Sequence, residues 1–148
     1  MDTIDRTILN ALQEDFPVDS RPFRVLSQRI QISEEEIIQR VSSLVESKII
    51  RRLGVSLNPK AVGLSTTLIG MDVPEERMEA VADIVNAYAE VTHNYQRDED
   101  YNLWFTIAAK SPEEIQKIIE EIREKTGIKR IINLPSTKTF KIRVRFEV

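Results

Sequence analysis

His93, Tyr95 and Arg97 fall at alternate positions of one short stretch, and no other part of the chain gathers so much chemistry. His93 is the only histidine in 148 residues. It lies in His93-Asn94-Tyr95-Gln96-Arg97-Asp98-Glu99-Asp100-Tyr101-Asn102-Leu103-Trp104-Phe105, together with the single tryptophan and two of the three tyrosines. An imidazole changes charge near neutral pH and can pass a proton. A phenol is a second donor, and a guanidinium grips a carboxylate through two parallel hydrogen bonds. A folding unit needs the apolar residues of this segment. It has no structural need for so many hydrogen-bonding and titratable groups, so the segment reads as a site.

Two alternating runs flank a charged turn, which predicts a β-hairpin with arms at about 91–97 and 101–109. On a regular strand Val91, His93 and Tyr95 point one way, and Thr92, Asn94 and Gln96 point the other. Tyr101 and Trp104 then fall on opposite faces.

The rest of the composition narrows the chemistry. The chain is 41% hydrophobic and 30% charged, as expected of a globular protein. Without cysteine it has no disulfide, no thiolate nucleophile and no cysteine-ligated metal. One histidine and no HExxH or EF-hand spacing argue against a protein-held metal. The absence of GxGxxG or Walker-type loops argues against nucleotide cofactors. No run reaches the length of a membrane span, and the N-terminus lacks the order of a signal peptide, so the expected location is cytoplasmic, away from membranes. The net charge of −3 argues weakly against a nucleic-acid partner.

Residues 1–60 read as a helix-turn-helix domain. Asp2 or Thr3 caps a helix carrying Ile4, Ile8, Leu9 and Leu12 on one face, which Phe16-Pro17 ends. A short second helix spans about 23–29. Ser33 and Glu36 form a capping box for a third, whose buried stripe is Ile37, Val41, Leu44 and Val45. Ile49 to Leu53 resembles the strand or wing that follows a winged helix-turn-helix. Residues 61–148 alternate strand and helix. A strand at 66–73 is followed by a helix from Pro74 through Tyr88, then the hairpin. A second helix is capped by Ser111 and closed at Gly127. Lys129–Leu134 is strand-like, and Lys138–Val148 alternates as a final strand. The order βαββαβ predicts an α+β fold, a ferredoxin-like antiparallel sheet with two helices on one face.

A helix-turn-helix joined to a βαββαβ module is similar to the Lrp/AsnC family of amino-acid-responsive transcription regulators. Ile4-Asp5-Arg6, Ile8-Leu9-Asn10, Leu12-Gln13 and Asn58-Pro59 look like that family's. Two features depart from it. The third helix, which in a regulator enters the major groove by its N-terminus, begins with Glu34, Glu35 and Glu36, and acidic and basic residues balance over the first sixty positions. The hairpin turn, Arg97-Asp98-Glu99-Asp100, also lacks glycine.

The hairpin instead resembles that of the siroheme decarboxylase family, an Lrp-like branch. The matching segments are Asp15-Phe16-Pro17, Ser20-Arg21-Pro22, Ile50-Arg51-Arg52-Leu53-Gly54, His93-Asn94-Tyr95, Arg97-Asp98, Asp100 to Thr106, Asn133-Leu134-Pro135 and Phe140-Lys141-Ile142. The resemblance implies a carboxy-lyase that removes CO2 from two acetate side chains of sirohaem, giving didecarboxysirohaem in alternative haem synthesis. It also implies a paralogous subunit or a second copy as partner. Family hairpins often carry a second histidine where this chain has Glu99.

Protonating a ring carbon turns the macrocycle into its own electron sink, so no cofactor beyond the iron-bearing substrate is required. On this reading His93 donates a proton or ligates the substrate iron, Tyr95 is a second donor, and Arg97 completes the catalytic set. Arg51, Arg52, Lys141 and Arg143 would hold carboxylates, and Tyr101 and Trp104 would wall the macrocycle. The rival readings are a regulator that senses haem or another tetrapyrrole, and a non-catalytic partner of a paralogous decarboxylase.

Overall fold

The computed structural model describes residues 1–142 and 145–148, which divide into two compact units, 1–55 with 141–148, and 56–140.

The first unit is a three-helix core. Helix α1 (Thr3–Glu14) opens with a reciprocal capping box, in which the Asp2 carboxylate accepts from the Asp5 N–H and the Asp5 carboxylate from the Asp2 N–H, both at 2.9 Å. Helix α2 (Pro22–Ile30) has proline in its first turn, where the missing N–H costs no bond. Helix α3 (Glu34–Glu46) is capped by Ser33, but the reciprocal half of the expected capping box is missing. The Glu36 carboxylate is held by Arg40 at 2.9 Å. Arg40 also bridges Asp2 and Asp5, each at 2.8 Å. The capping bonds and Arg40 hold both aspartates below the ordinary carboxylate value of 3.8.

Ile8, Leu9, Leu26, Ile37, Val41, Leu44 and Ile50 form the core of this unit. Val45 does not join them. It is exposed, because the buried arc of α3 closes at Leu44. Residues 49–53 form no strand. Lys48 adopts a left-handed turn and the Ile50 N–H closes onto the Leu44 carbonyl at 2.9 Å, so Ile50 drops into the helical core.

The second unit follows the expected order: β1 (Ser65–Met71), α4 (Met78–Asn86), β2 (Val91–Gln96), β3 (Leu103–Ala109), α5 (Pro112–Thr126) and β4 (Ile131–Pro135). The sheet runs β2-β3-β1-β4, antiparallel throughout. Ile69, Met71, Leu103, Phe105 and Ile107 meet Val81 and Val85 of α4 and Ile115, Ile118 and Ile122 of α5 in one core. Both helices cover a single face, and the other carries no helix of this unit. No helix among the described residues is long and apolar enough to cross a membrane.

The final strand expected at 138–148 is not formed among its described residues, and the domain boundary expected at residue 61 does not enclose the tail. The tail belongs with the first unit because α1 supplies its hydrogen bonds. Gln13 accepts from the Phe146 N–H at 2.9 Å and donates to the Phe146 carbonyl at 3.0 Å, while Arg145 pairs with Glu14 at 2.6 Å. A side-chain amide thus takes the place of a neighbouring strand.

Candidate active site

The hairpin differs from a regular ladder at the point that matters most. Val91 lies opposite Ile107 and His93 opposite Thr106, so Thr92 is one residue too many and forms a β-bulge. Beyond it Asn94 faces Phe105, Tyr95 faces Trp104, and Gln96 faces Leu103. Cross-strand partners share a face. His93 and Tyr95 therefore point to the helix-free face, while Val91 packs on the core side with Asn94. The expectation that Val91, His93 and Tyr95 share one face fails because the bulge resets the alternation between 91 and 93.

His93 is held by hydroxyls. Its Nδ1 lies 3.1 Å from the Thr92 Oγ1 and 3.3 Å from the Thr106 Oγ1, and the two hydroxyls are 2.6 Å apart. Nε2 makes no hydrogen bond among the described residues. When a threonine hydroxyl donates to Nδ1, Nε2 carries the proton and can deliver it. When Nδ1 donates instead, the Nε2 lone pair is open to a proton or an iron. The Tyr95 ring runs nearly parallel to the imidazole at 6.3 Å between centroids and is half exposed. Both side chains are thus accessible from the same side.

Trp104 continues this face and Phe105 belongs to the core. The indole N–H donates to the Tyr101 carbonyl, and the two rings meet edge-on at 6.3 Å. Tyr101 and Trp104 are therefore not opposed as the alternation predicts, since β3 begins only at Leu103 and Tyr101 belongs to the turn. Arg130 lies over the Tyr101 ring at 5.3 Å and pairs with Asp72 at 2.6 Å.

The turn is fastened by Asn102. Its side chain accepts from the Val73 N–H at 2.8 Å and donates to the Val73 carbonyl at 2.7 Å, while its carbonyl accepts from the Arg97 N–H. Beside it is a hollow of about 650 Å³ that contains Arg97 and Arg130, but also Asp72, Glu75, Asp98, Glu99 and Asp100. This hollow is net acidic, with five carboxylates against two guanidinium groups. Charge repulsion directs a polyanionic ligand away from it.

Arg51 and Arg52 belong to the first unit, whereas His93, Tyr95, Arg97, Tyr101 and Trp104 belong to the second. Both arginines are exposed and border a cavity of about 440 Å³ with Leu9, Leu12, Ile50 and Val148. Lys141 is exposed and outside any regular element, and Arg143 lies outside the described residues.

Residues 5–51 match the model for the siroheme decarboxylase NirDL-like HTH domain, and residues 61–141 match that for the AsnC-like ligand binding domain. The siroheme decarboxylase alpha subunit of Desulfovibrio desulfuricans is 45% identical over all of this chain and 85% of its own length. The chain belongs to the siroheme decarboxylase family. Another relative, the siroheme decarboxylase NirG subunit of Stutzerimonas stutzeri, is 33% identical over the full length of both chains. The crystal structure of the siroheme decarboxylase NirDL in co-complex with an iron-uroporphyrin III analogue matches at TM-score 0.69 and 32% identity. That match covers 95% of this chain but 47% of the NirDL chain, so this chain spans about half of it. Escherichia coli AsnC shares the fold at TM-score 0.80 and 21% identity, covering 98% and 97% of the two chains.

The hairpin motif of this siroheme decarboxylase family member pointed to His93, Tyr95 and Trp104. It gave no role to Thr92, nor to Asn102 and Thr106 although both lie within the matching segment. Thr106 sits in an alternating strand, but its partner across the hairpin depends on a bulge that alternation does not reveal.

Proposed function

We propose that this chain is a subunit of a siroheme decarboxylase and that the helix-free face of its hairpin works on the substrate. The observation that carries the reading is the joint presentation of His93, Tyr95 and Trp104 on that face, in a chain similar over its whole length to siroheme decarboxylase subunits.

The reaction needs little from the protein. A ring-bound CH2–COO⁻ group loses CO2 by cleavage of its C–C bond, and the CH2 left on the ring takes up one proton to become a methyl group. Protonation of the adjacent macrocycle carbon lets the electron pair of the breaking C–C bond flow into the ring. A proton then ends on the exocyclic carbon as the ring carbon gives its own up. His93 is positioned as the proton donor through Nε2, with the hydroxyls of Thr92 and Thr106 behind it. Tyr95 is the second donor and Trp104 an apolar wall. No cofactor beyond the iron-bearing sirohaem is required, and this carboxy-lyase chemistry uses no protein nucleophile.

Arg97 shares its hollow with five carboxylates, so it does not form the main anion pocket, and its part in the catalytic set is confined to the edge of the site. Arg51, Arg52, Lys141 and Arg143 are the remaining candidates for binding substrate acetates and propionates. The half-exposed face calls for a cover, which a paralogous subunit or a second copy of the chain supplies. The site of action is cytoplasmic.

The second reading, a tetrapyrrole-sensing regulator, is favoured by the three-helix unit. Its arginines speak against it. Arg21 is paired to Glu34 at 2.6 Å, and Arg40 is shared among Asp2, Asp5 and Glu36, so two cations beside the start of α3 already face protein carboxylates. DNA phosphates would have to displace them.

The test is anaerobic incubation with sirohaem, with and without a co-purified paralogue, followed by mass spectrometry. A product lighter by two CO2 is expected. Unchanged sirohaem under both conditions, with duplex DNA retained at physiological salt, would favour the regulator.

A further inference from the structure

Gly70 occupies an unusual position. It lies one residue inside the C-terminal end of β1 on the helix-free face, directly across from Trp104 on one side and Ile132 on the other. Glycine in a strand interior weakens the strand, since it packs nothing and has more conformational freedom to lose. Its backbone here is not left-handed, so no turn or bulge accounts for it. What accounts for it is space. A Cβ on Gly70 would lie 3.0 Å from the Trp104 Cη2, 3.1 Å from its Cζ3, and 3.0 Å from the Ile132 Cγ1. The far edge of the indole thus rests on the glycine backbone, and Gly70 is buried although its face carries no helix. The other edge is tied by the indole N–H to the Tyr101 carbonyl. A side chain at position 70 must therefore push aside an indole already tied at its other edge, or the Ile132 side chain.

We propose that Gly70 is a positioning residue for substrate binding: its missing side chain leaves the slot in which the Trp104 indole lies along the open face as a wall for the tetrapyrrole. The proposal rests on the substrate reading above. It names a residue on a strand that carries none of the candidate site residues, and assigns it a role through Trp104. A Val side chain in this slot lifts the indole, and the macrocycle then meets a displaced wall. The hydroxyls behind His93 on the neighbouring strands are untouched.

Trp104 is the only tryptophan, so its fluorescence reports the slot directly. The full-length chain is titrated anaerobically with sirohaem, following quenching of that emission for wild type, Gly70→Ala and Gly70→Val, and the change in sirohaem absorption for these three, for Trp104→Phe and for Trp104→Phe with Gly70→Ala. Before ligand is added, Gly70→Val is expected to shift the emission and alter the near-ultraviolet circular dichroism of the indole. It is then expected to weaken sirohaem binding by about tenfold, the size of one lost aromatic contact. Turnover at saturating substrate should change by less than about threefold, since the proton donor stays in place. Gly70→Ala should show the same direction at smaller size, which covers the case in which Val prevents folding. In the Trp104→Phe background, where the indole edge is gone, the Gly70→Ala penalty should largely vanish, as neighbouring sites couple.

Quenching and affinity equal to wild type in both Gly70 variants would overturn the role of Gly70 and leave the substrate reading standing. Wild-type emission that does not respond to sirohaem at all would overturn the substrate reading, and this role with it.

Discussion

His93 on β2 sits directly across the hairpin from Thr106 on β3, and the Thr106 hydroxyl shares the imidazole Nδ1 with that of Thr92. The bulge at Thr92 makes this possible, because it turns two consecutive side chains toward one face. Replacing Thr106 by Val removes one of the hydroxyls and leaves the strand its β-branched shape. Turnover is expected to fall by about tenfold, with Thr106→Ser recovering most of it, since general acid catalysis depends on an oriented donor. The pH–rate profile should shift in Thr106→Val and return in Thr106→Ser. A merely structural threonine would leave that profile unmoved.

His93 itself carries a larger effect. His93→Ala should lower turnover by about a hundredfold or more, in the range of a lost general acid, while sirohaem binding changes far less. Binding titrations and turnover measured on the same preparation separate the two. An unchanged rate would remove His93 from the mechanism.

Much of this was legible in the sequence, and the reasons differ by element. Helix α5 has Ser111, Pro112 and Gly127 at its ends, so its limits follow from local chemistry alone. The βαββαβ order follows from alternating periods of two and 3.6, and Phe105 and Ile107 fell to the core as that pattern requires. The bulge was hidden, because it is decided by what β3 offers across the ladder and not by β2. The tail misled for a similar reason. Lys138–Val148 alternates like a strand, but Gln13 of α1 supplies the hydrogen bonds that another strand would have given. The full charge around Arg97 was not legible locally, because Asp72 and Glu75, distant in sequence, join the acidic turn.

Asn102 ties the hairpin turn to the backbone after β1 by mimicking a peptide group toward Val73. Asn102→Ala leaves a partly buried N–H and carbonyl without partners, a loss of about 1–3 kcal/mol. Chemical denaturation should register that loss. Asn102→Asp keeps the acceptor alone and should fall between the two.

The N-terminal unit should be acid-sensitive. Asp2 and Asp5 are held below 3.8, first by each other's backbone N–H and then by Arg40. A carboxylate whose pKa is lower folded than unfolded stabilises the fold fully above the unfolded value, and that contribution is lost as pH falls through the folded one. Melting temperature should therefore drop as pH falls below about 4. Asp5→Asn should flatten that slope, and a slope equal to wild type would contradict the assignment.

The pairing of Arg21 and Arg40 with carboxylates predicts weak DNA binding. In a gel shift at physiological salt, the wild-type chain should leave duplex DNA free at nanomolar protein. Retention of a specific duplex under those conditions would restore the regulator reading.

The central claim is that the helix-free face delivers one proton for each CO2 that leaves. The most direct measurement is the reaction of anaerobic sirohaem in heavy water with the wild-type chain and its paralogue, read by mass spectrometry. The expected product has lost two CO2 and gained one deuteron at each new methyl group, and His93→Ala should form it far more slowly. A decarboxylated product without deuterium at those carbons, or one formed equally fast by His93→Ala, would contradict the account.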